Sequence, residues 1–195
     1  LVRLGGMWEE VRDDDDIRVA IVTGAGDKAF CSGADLGKLI PLISGARQPE
    51  DEWDRKALEA PDLIGNGLLR TFDAGKPVVA ALNGHAIAGG MELTQGADLR
   101  IGVESAKLGV QEVKWAIFPG GGSTVRLPKQ IPYARAMELL LTGDLITAQE
   151  AYDLGFLNRV VPDGQAVEAA MELAGKIAAN GPIAVQAIRR SARAC

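Results

Sequence analysis

A chain of 195 residues with 47% hydrophobic content has enough apolar mass for one domain with a substantial core. Lysine and arginine number 21 against 26 aspartates and glutamates, and the net charge of −5 argues against a nucleic-acid or anionic-membrane surface. One histidine, His85, and two cysteines, Cys31 and Cys195, cannot build a disulfide framework or a Cys/His zinc site, and no apolar run reaches the roughly 18–20 residues of a membrane span; no metal, no membrane and a reducing, cytoplasmic setting are expected.

In chain order, residues 2–12 carry apolar groups at helical spacing, and the aspartates 13–16 break it as a solvated loop. Residues 18–23 are β-branched and apolar, a buried strand bounded by Gly24-Ala25-Gly26. The turn-rich piece 30–36 leads into a helix. Residues 41–62 mix Pro, Gly, charges and Trp53, and read either as a partly helical excursion over a pocket or as a disordered surface loop. Helical periodicity returns over 63–72, and Lys76-Pro77 starts a strand at 78–82. After the Gly89-Gly90 turn a helix begins at 91–96, followed by a strand at 99–103.

Past Gly122 the spacing is helical over 126–129 and 134–141, and Thr147-Ala148-Gln149-Glu150 has the form of a capping box. Val160-Val161-Pro162 ends a short strand, and an amphipathic helix over 166–179 stops at Asn180-Gly181-Pro182. Strands alternate with helices, so the fold class is α/β, with no repeat of fixed period. Glycine supplies 24 of the residues, clustered at the ends of apolar runs as turns.

The stretch Lys76 to Leu93 ends an apolar strand in a glycine turn and places Glu92 directly beyond it, while Glu112 precedes a second turn, Pro119-Gly120-Gly121-Gly122. Glycine turns let backbone N–H groups approach a ligand, and two carboxylates supply acid/base capacity, so the combination suits acyl chemistry. Taken singly, Glu92 also reads as a first-turn carboxylate complementing a helix dipole and Glu112 as a solvated loop residue. His85 reads as structural, Cys31 as a small packing residue, and Met91, Trp115 and Phe118 as either acyl-pocket or core residues.

Five motifs in order resemble the crotonase superfamily, that of enoyl-CoA hydratases and isomerases: AFCSGADL (29–36), NGHAIAGGMEL (83–93), GADLRI (96–101), QEVKWAIFPGGG (111–122) and LTGDLITAQEAYDLGFLNRVV (141–161). The resemblance implies a spiral of repeated strand-strand-helix units and a coenzyme A thioester as ligand, with no separate cofactor. It implies that the backbone N–H groups of Ala34 and Gly89 form an oxyanion hole, that Glu92 and Glu112 form the acid/base pair of a hydratase, and that Gly120 N–H helps hold the water. Binding of the thioester then falls to Ala29, Phe30, Ser32, Gly33, Ala34, Asp35, Leu36, Gly89 and Gly120, with Lys28 and Lys38 available to phosphates. It also implies a homotrimer or dimer of trimers. The chain opens inside what should be the first long helix and stops before the usual terminal helices, so 1–195 is expected to be a single core domain from a longer chain.

The expected reaction is syn addition of water to a 2-trans-enoyl-CoA. Other reactions of the superfamily, namely isomerisation, decarboxylation or thioester hydrolysis, and a noncatalytic acyl-CoA-binding role stay open. A nucleotide-binding reading of Gly24-Ala25-Gly26 needs a helix to open there, which Phe30-Cys31-Ser32-Gly33 interrupts.

Overall fold

The computed structural model describes residues 1–60 and 62–194; Pro61, inside the 41–62 excursion, and Cys195 lie outside them. The opening helix α1 (Val2–Asp13) is followed by two strands in succession, β1 (Ala20–Thr23) and β2 (Ala29–Cys31). Three short helices follow, α2 (Leu39–Ile43), α3 (Glu52–Glu59) and α4 (Leu63–Gly67), before the second strand pair, β3 (Val78–Leu82) and β4 (His85–Ile87), and α5 (Gly89–Gly96). The third pair is β5 (Leu99–Val103) and β6 (Lys107–Gly109), then a 3₁₀ turn at Glu112–Trp115, α6 (Ser123–Gln130) and α7 (Tyr133–Thr142). The chain closes with β7 (Ile146–Thr147), α8 (Ala148–Asp153), β8 (Arg159–Val161), α9 (Ala166–Ala178) and α10 (Pro182–Arg193).

Each strand pair contributes one strand to each of two sheets. The first sheet runs β1-β3-β5-β8, all parallel, and the second β2-β4-β6-β7, in which only β7 is antiparallel. This is the expected spiral of strand-strand-helix turns, and the fold is crotonase-like.

The corners of the spiral are stacked by one side chain. Asn83 accepts the Gly24 N–H at 2.9 Å and donates to the carbonyls of Gly26 at 2.8 Å and Ala29 at 3.3 Å, tying the β1–β2 corner to the β3–β4 corner. A Cβ on Gly24 would lie 2.4 Å from the Ala29 carbonyl oxygen, and one on Gly84 2.5 Å from that of Lys28, so this stacking demands glycine at both corners. The glycines after β1 therefore turn the chain into a second strand. No helix opens there, which removes the structural basis of the nucleotide-binding reading.

β3 is wholly buried because it lies central in its sheet, between β1 and β5. Helix α9 packs on that sheet with Ala166, Ala170 and Ala174 buried at a spacing of four, small residues that admit close approach. The capping box forms as expected: Glu150 N–H donates to Thr147 Oγ1 at 3.2 Å and Thr147 N–H to Glu150 Oε2 at 2.8 Å.

Several boundaries differ from expectation. The periodicity of 63–72 yields a helix only over Leu63–Gly67; Leu69 then adopts φ +55°, and the guanidinium of Arg126 engages the Leu69 carbonyl. Met91–Gly96 starts two residues earlier, at Gly89. The strands β2, β4, β6 and β7 are two or three residues long, too short to show alternation in sequence. Asn180-Gly181-Pro182 ends α9, yet Pro182 is also the first residue of α10, where a missing N–H costs nothing. Asp98 anchors α10, accepting from Arg189 Nε at 2.8 Å and Arg193 Nε at 3.0 Å, and it also accepts the Val78 N–H at 2.9 Å. Of the 41–62 excursion, the described residues are partly helical, as the first of its two readings has it.

Candidate active site

The loop after β2 and the start of α5 meet at Gly33 and Gly89. A Cβ on Gly33 would lie 3.3 Å from the Gly89 nitrogen, and one on Gly89 would lie 4.0 Å from the Ala34 nitrogen, so the two expected oxyanion-hole amides lie close together, and both residues line one cavity. Neither amide is taken up by another hydrogen bond among the described residues. Ala88, just before Gly89, holds φ +53° and ψ −123°, a conformation costly for a residue with a side chain. It is pinned from both sides: its N–H donates to the Gly109 carbonyl at 2.9 Å, and its carbonyl accepts the Glu92 N–H at 3.0 Å. Gly89 follows as the first residue of α5, at the positive end of the helix dipole.

Glu92, in the first turn of α5, is only 3% exposed. Its Oε2 accepts the Gly121 N–H at 2.9 Å and its Oε1 the Ser123 N–H at 3.2 Å. A Cβ at Gly121 would sit 2.4 Å from Glu92 Oε2, so the glycine run exists to let backbone N–H groups reach the carboxylate. Burial raises the Glu92 pKa, and the N–H donors of Ser123 and Gly121 oppose the rise.

Glu112 enters from the 3₁₀ turn. Burial pushes its carboxyl up to about 7, its own backbone N–H opposes this, and the Glu92 charge adds to the rise. Its Oε2 is buried without a hydrogen-bond partner among the described residues. Burial thus raises both carboxyls, against two backbone N–H donors from distant residues at Glu92 and against its own backbone N–H alone at Glu112.

A cavity of about 1010 Å³ joins these groups: Ser32, Gly33, Ala34, Asp35, Leu36, Gly89, Glu92, Glu112 and Gly120 all line it. The N–H of Gly120 has no other partner among the described residues, and a side chain at that position would meet nothing within 4 Å. Asp35 also shapes the loop, accepting the Gly37 N–H at 2.8 Å and the Lys38 N–H at 3.1 Å.

Ala29 and Phe30, expected beside the thioester, do not line this cavity. Ala29 serves the spiral corner and Phe30 is in the core. Of the two lysines, Lys38 lines the cavity and Lys28 does not. Trp115 and Phe118 line it and are 64% and 72% exposed, whereas Met91 is a core residue. Cys31 lines the cavity beside Gly90. His85 Nδ1 accepts the Lys107 N–H at 3.1 Å, a contact between neighbouring strands.

Sequence reading missed Ala88, Gly121 and Ser123 as parts of the site. The run of three glycines followed by a serine at a helix start was the available signal for the last two, since helix N-termini leave N–H groups free. It also missed Gln111 and Ile40, while Leu42, Trp53 and Ala57, inside the 41–62 excursion, line the cavity as the reading of that segment over a pocket has it. Nothing local marks Gln111 or Ile40 as pocket-facing.

The family model for enoyl-CoA hydratase/isomerase matches residues 4–194. The chain is 49% identical over 186 residues to the enoyl-CoA hydratase EchA19 of Mycobacterium tuberculosis, covering 95% of this chain and 67% of that protein. It is 40% identical to the (E)-benzylidenesuccinyl-CoA hydratase of Thauera aromatica, over 95% of this chain and 68% of that one. Among solved structures, the carnitinyl-CoA hydratase of Mycobacterium avium superposes with a TM-score of 0.86 at 40% identity, covering all of this chain and 70% of that one.

Proposed function

Because the chain belongs to the enoyl-CoA hydratase/isomerase family, we propose that it adds water in the syn sense to a 2-trans-enoyl-CoA, giving a 3-hydroxyacyl-CoA. The observation that carries this reading is the pair of carboxylates on one cavity, one held by backbone N–H donors and the other lifted to about 7. Hydration needs both forms at once. An ionised carboxylate takes the proton of water as oxygen attacks C3, and a protonated one delivers a proton to C2 on the same face. Glu92 fits the first role and Glu112 the second, with the N–H of Gly120 orienting the water.

Negative charge builds on the thioester oxygen as C3 is attacked, and the N–H groups of Ala34 and Gly89 are the donors that stabilise it. Losing one such donor costs about 2.7–4 kcal/mol of barrier. Coenzyme A enters as part of the substrate, with the loop 32–36 as its bed and Lys38 near its phosphates; no separate cofactor is required. The relatives described above are named as hydratases, which favours water addition over isomerisation, decarboxylation or thioester hydrolysis.

A homotrimer or dimer of trimers is the proposed assembly, supported by large apolar side chains left exposed on α10, Ile183 at 83% and Ile188 at 70%. No described helix is long and apolar enough to cross a membrane.

The test is turnover of crotonyl-CoA and of longer and branched enoyl-CoAs, followed at the enoyl-thioester absorbance. Wild-type activity that falls by about 10²–10⁴-fold in both Glu92→Gln and Glu112→Gln supports the paired mechanism. Binding of the thioester without hydration of any of these substrates rejects it in favour of another reaction of the family.

A further inference from the structure

The glycine run that serves Glu92 has no side chain of its own to fix it: Gly120, Gly121 and Gly122 follow Pro119 without a Cβ, and Gly122 holds φ +114°. The run is gripped from outside by Arg70, three residues beyond α4, whose Nη1 donates to the Gly120 carbonyl at 2.6 Å. The stem of Arg70 lies along the same run, since a Cβ on Gly122 would be 3.4 Å from Arg70 Cγ and 3.7 Å from its Cδ.

The carbonyl of Gly120 and the N–H of Gly121 belong to one peptide unit. That unit is trans, so the two groups point in opposite directions. Arg70 therefore stands on one side of it and Glu92 on the other, where Oε2 accepts the Gly121 N–H at 2.9 Å. A cationic donor on the oxygen fixes the plane of the peptide and polarises it, which makes the N–H opposite a stronger donor. Arg70 is held by its own main chain: its N–H donates to the Gly65 carbonyl at 2.7 Å, and its carbonyl accepts from Arg126 Nη2 at 3.3 Å. Arg126 belongs to α6, which begins directly after the glycine run, so two arginines lace residues 68–70 to this region in opposite directions. Arg70 lies off the cavity lining, and no step of the reaction scheme uses it.

We propose that Arg70 is a positioning residue for Glu92, acting through the peptide between Gly120 and Gly121, whose carbonyl it holds while the N–H of that peptide donates to the carboxylate. The proposal rests on the reading of Glu92 as the group that works ionised. The charged and titratable side chains on β2, β4 and α6, which pack against α5, are Cys31, His85, Arg126 and Lys129, and Glu112 acts on Glu92 from the 3₁₀ turn. A substitution of the Arg70 side chain replaces none of them and leaves the Arg126 bonds to the main chain of 68–70 in place.

The experiment is NMR of ligand-free protein carrying glycine labelled with carbonyl ¹³C and with ¹⁵N. The ¹³C–¹⁵N coupling singles out the four Gly-Gly peptides of the sequence, at 5–6, 89–90, 120–121 and 121–122, and the Gly121 signal is identified by its loss in Gly121→Ala. In Arg70→Met the Gly120 carbonyl and the Gly121 amide proton are expected to move together, the latter upfield as its bond to Glu92 weakens. The pH midpoint at which the Gly121 amide responds to Glu92 is expected to rise by about half a unit, and to do so equally in about 0.5 M salt. For an enoyl-CoA, kcat is expected to fall about fivefold, the equivalent of one ordinary hydrogen bond, with KM nearly unchanged; the acid limb of the profile moves up with the midpoint, and Arg70→Lys, a cationic donor on a similar stem, recovers part of kcat. A Gly121 amide and midpoint that stay put in Arg70→Met overturn the proposal, even if kcat falls, since Arg70 then serves the fold alone. A midpoint shift that disappears in salt also overturns it, because the Arg70 charge then acts through solvent and not through the peptide. Should Arg70→Met not fold, Arg70→Gln keeps the start of the stem, loses charge and reach, and is read by the same criteria. If the wild type hydrates no enoyl-CoA, the functional reading fails, while the ligand-free spectra still decide this one.

Discussion

Burial lifts the Glu112 carboxyl from 4.5 to about 7, and that shift has two consequences of opposite use to the molecule. A protonated Glu112 is the proton donor of the proposed hydration, so kcat is expected to fall as pH rises through about 7 and on the acid side as Glu92 becomes protonated; the pH profile of kcat checks both limbs. For folding, a raised carboxyl pKa contributes stability that is present below the unfolded value and lost as pH rises through the folded one. Glu112→Gln, neutral at every pH, should therefore match the wild type near pH 4 and exceed it at pH 8 by about 1–2 kcal/mol, measured by chemical denaturation. Gly121→Ala acts on the other carboxylate. Its Cβ would sit 2.4 Å from Glu92 Oε2, so the loss should appear in kcat by about 10²-fold while the fold survives, as circular dichroism reports. Glu92 and Glu112 were legible as a pair because they follow and precede glycine turns. The unequal environments of the two were not legible, because the donors to Glu92 come from residues 29 and 31 positions away.

The elements that shape the cavity divide into those defined by local chemistry and those held by distant partners. Helix α5 can approach β2 only because Gly90 has no side chain: a Cβ there would meet the Cys31 carbonyl oxygen at 2.0 Å. Gly90→Ala is expected to destabilise by about 3 kcal/mol and to disturb the Gly89 amide with it, seen as a lower Tm together with lost activity. Helices α2 and α3 form an outer wall joined by Arg47, which grips Asp54 with both terminal nitrogens at 2.6 and 2.9 Å and also donates to the Lys38 carbonyl. The guanidinium holds Asp54 down at about 2, so the clasp persists until pH falls well below 4. Arg3 and Lys56 bracket the ring of Trp53 on the same wall, at 4.5 and 4.6 Å. Arg47→Ala should raise KM for long enoyl-CoAs several-fold and leave kcat nearly unchanged, since the clasp touches the wall and not the carboxylates; steady-state kinetics across acyl lengths checks this.

At the scale of the molecule, the spiral relies on three strand pairs that feed two sheets and on Asn83 joining successive corners. The exposed apolar residues of α10 remain outside that core, and sedimentation is expected to return three or six times the 20.5 kDa chain mass; a monomer of that mass would reject the proposed assembly. The sequence by itself determined the α/β class, the long buried strands at 78–82 and 99–103, the capping box at Thr147, and the glycine turns that frame the carboxylates. Those are short-range matters, settled by side-chain type, spacing and backbone freedom within a few residues. Tertiary structure alone decided the second sheet, whose strands of two or three residues have no signal of their own and exist because each lies against its neighbours in the spiral. It also decided that Ala29 and Phe30 stay off the cavity and which of the two readings of 41–62 holds, with Leu42, Trp53 and Ala57 on the cavity wall. Above all it decided the unequal surroundings of the two carboxylates, because burial and hydrogen-bond donors are supplied by segments far apart in the chain and only folding brings them to the same side chain.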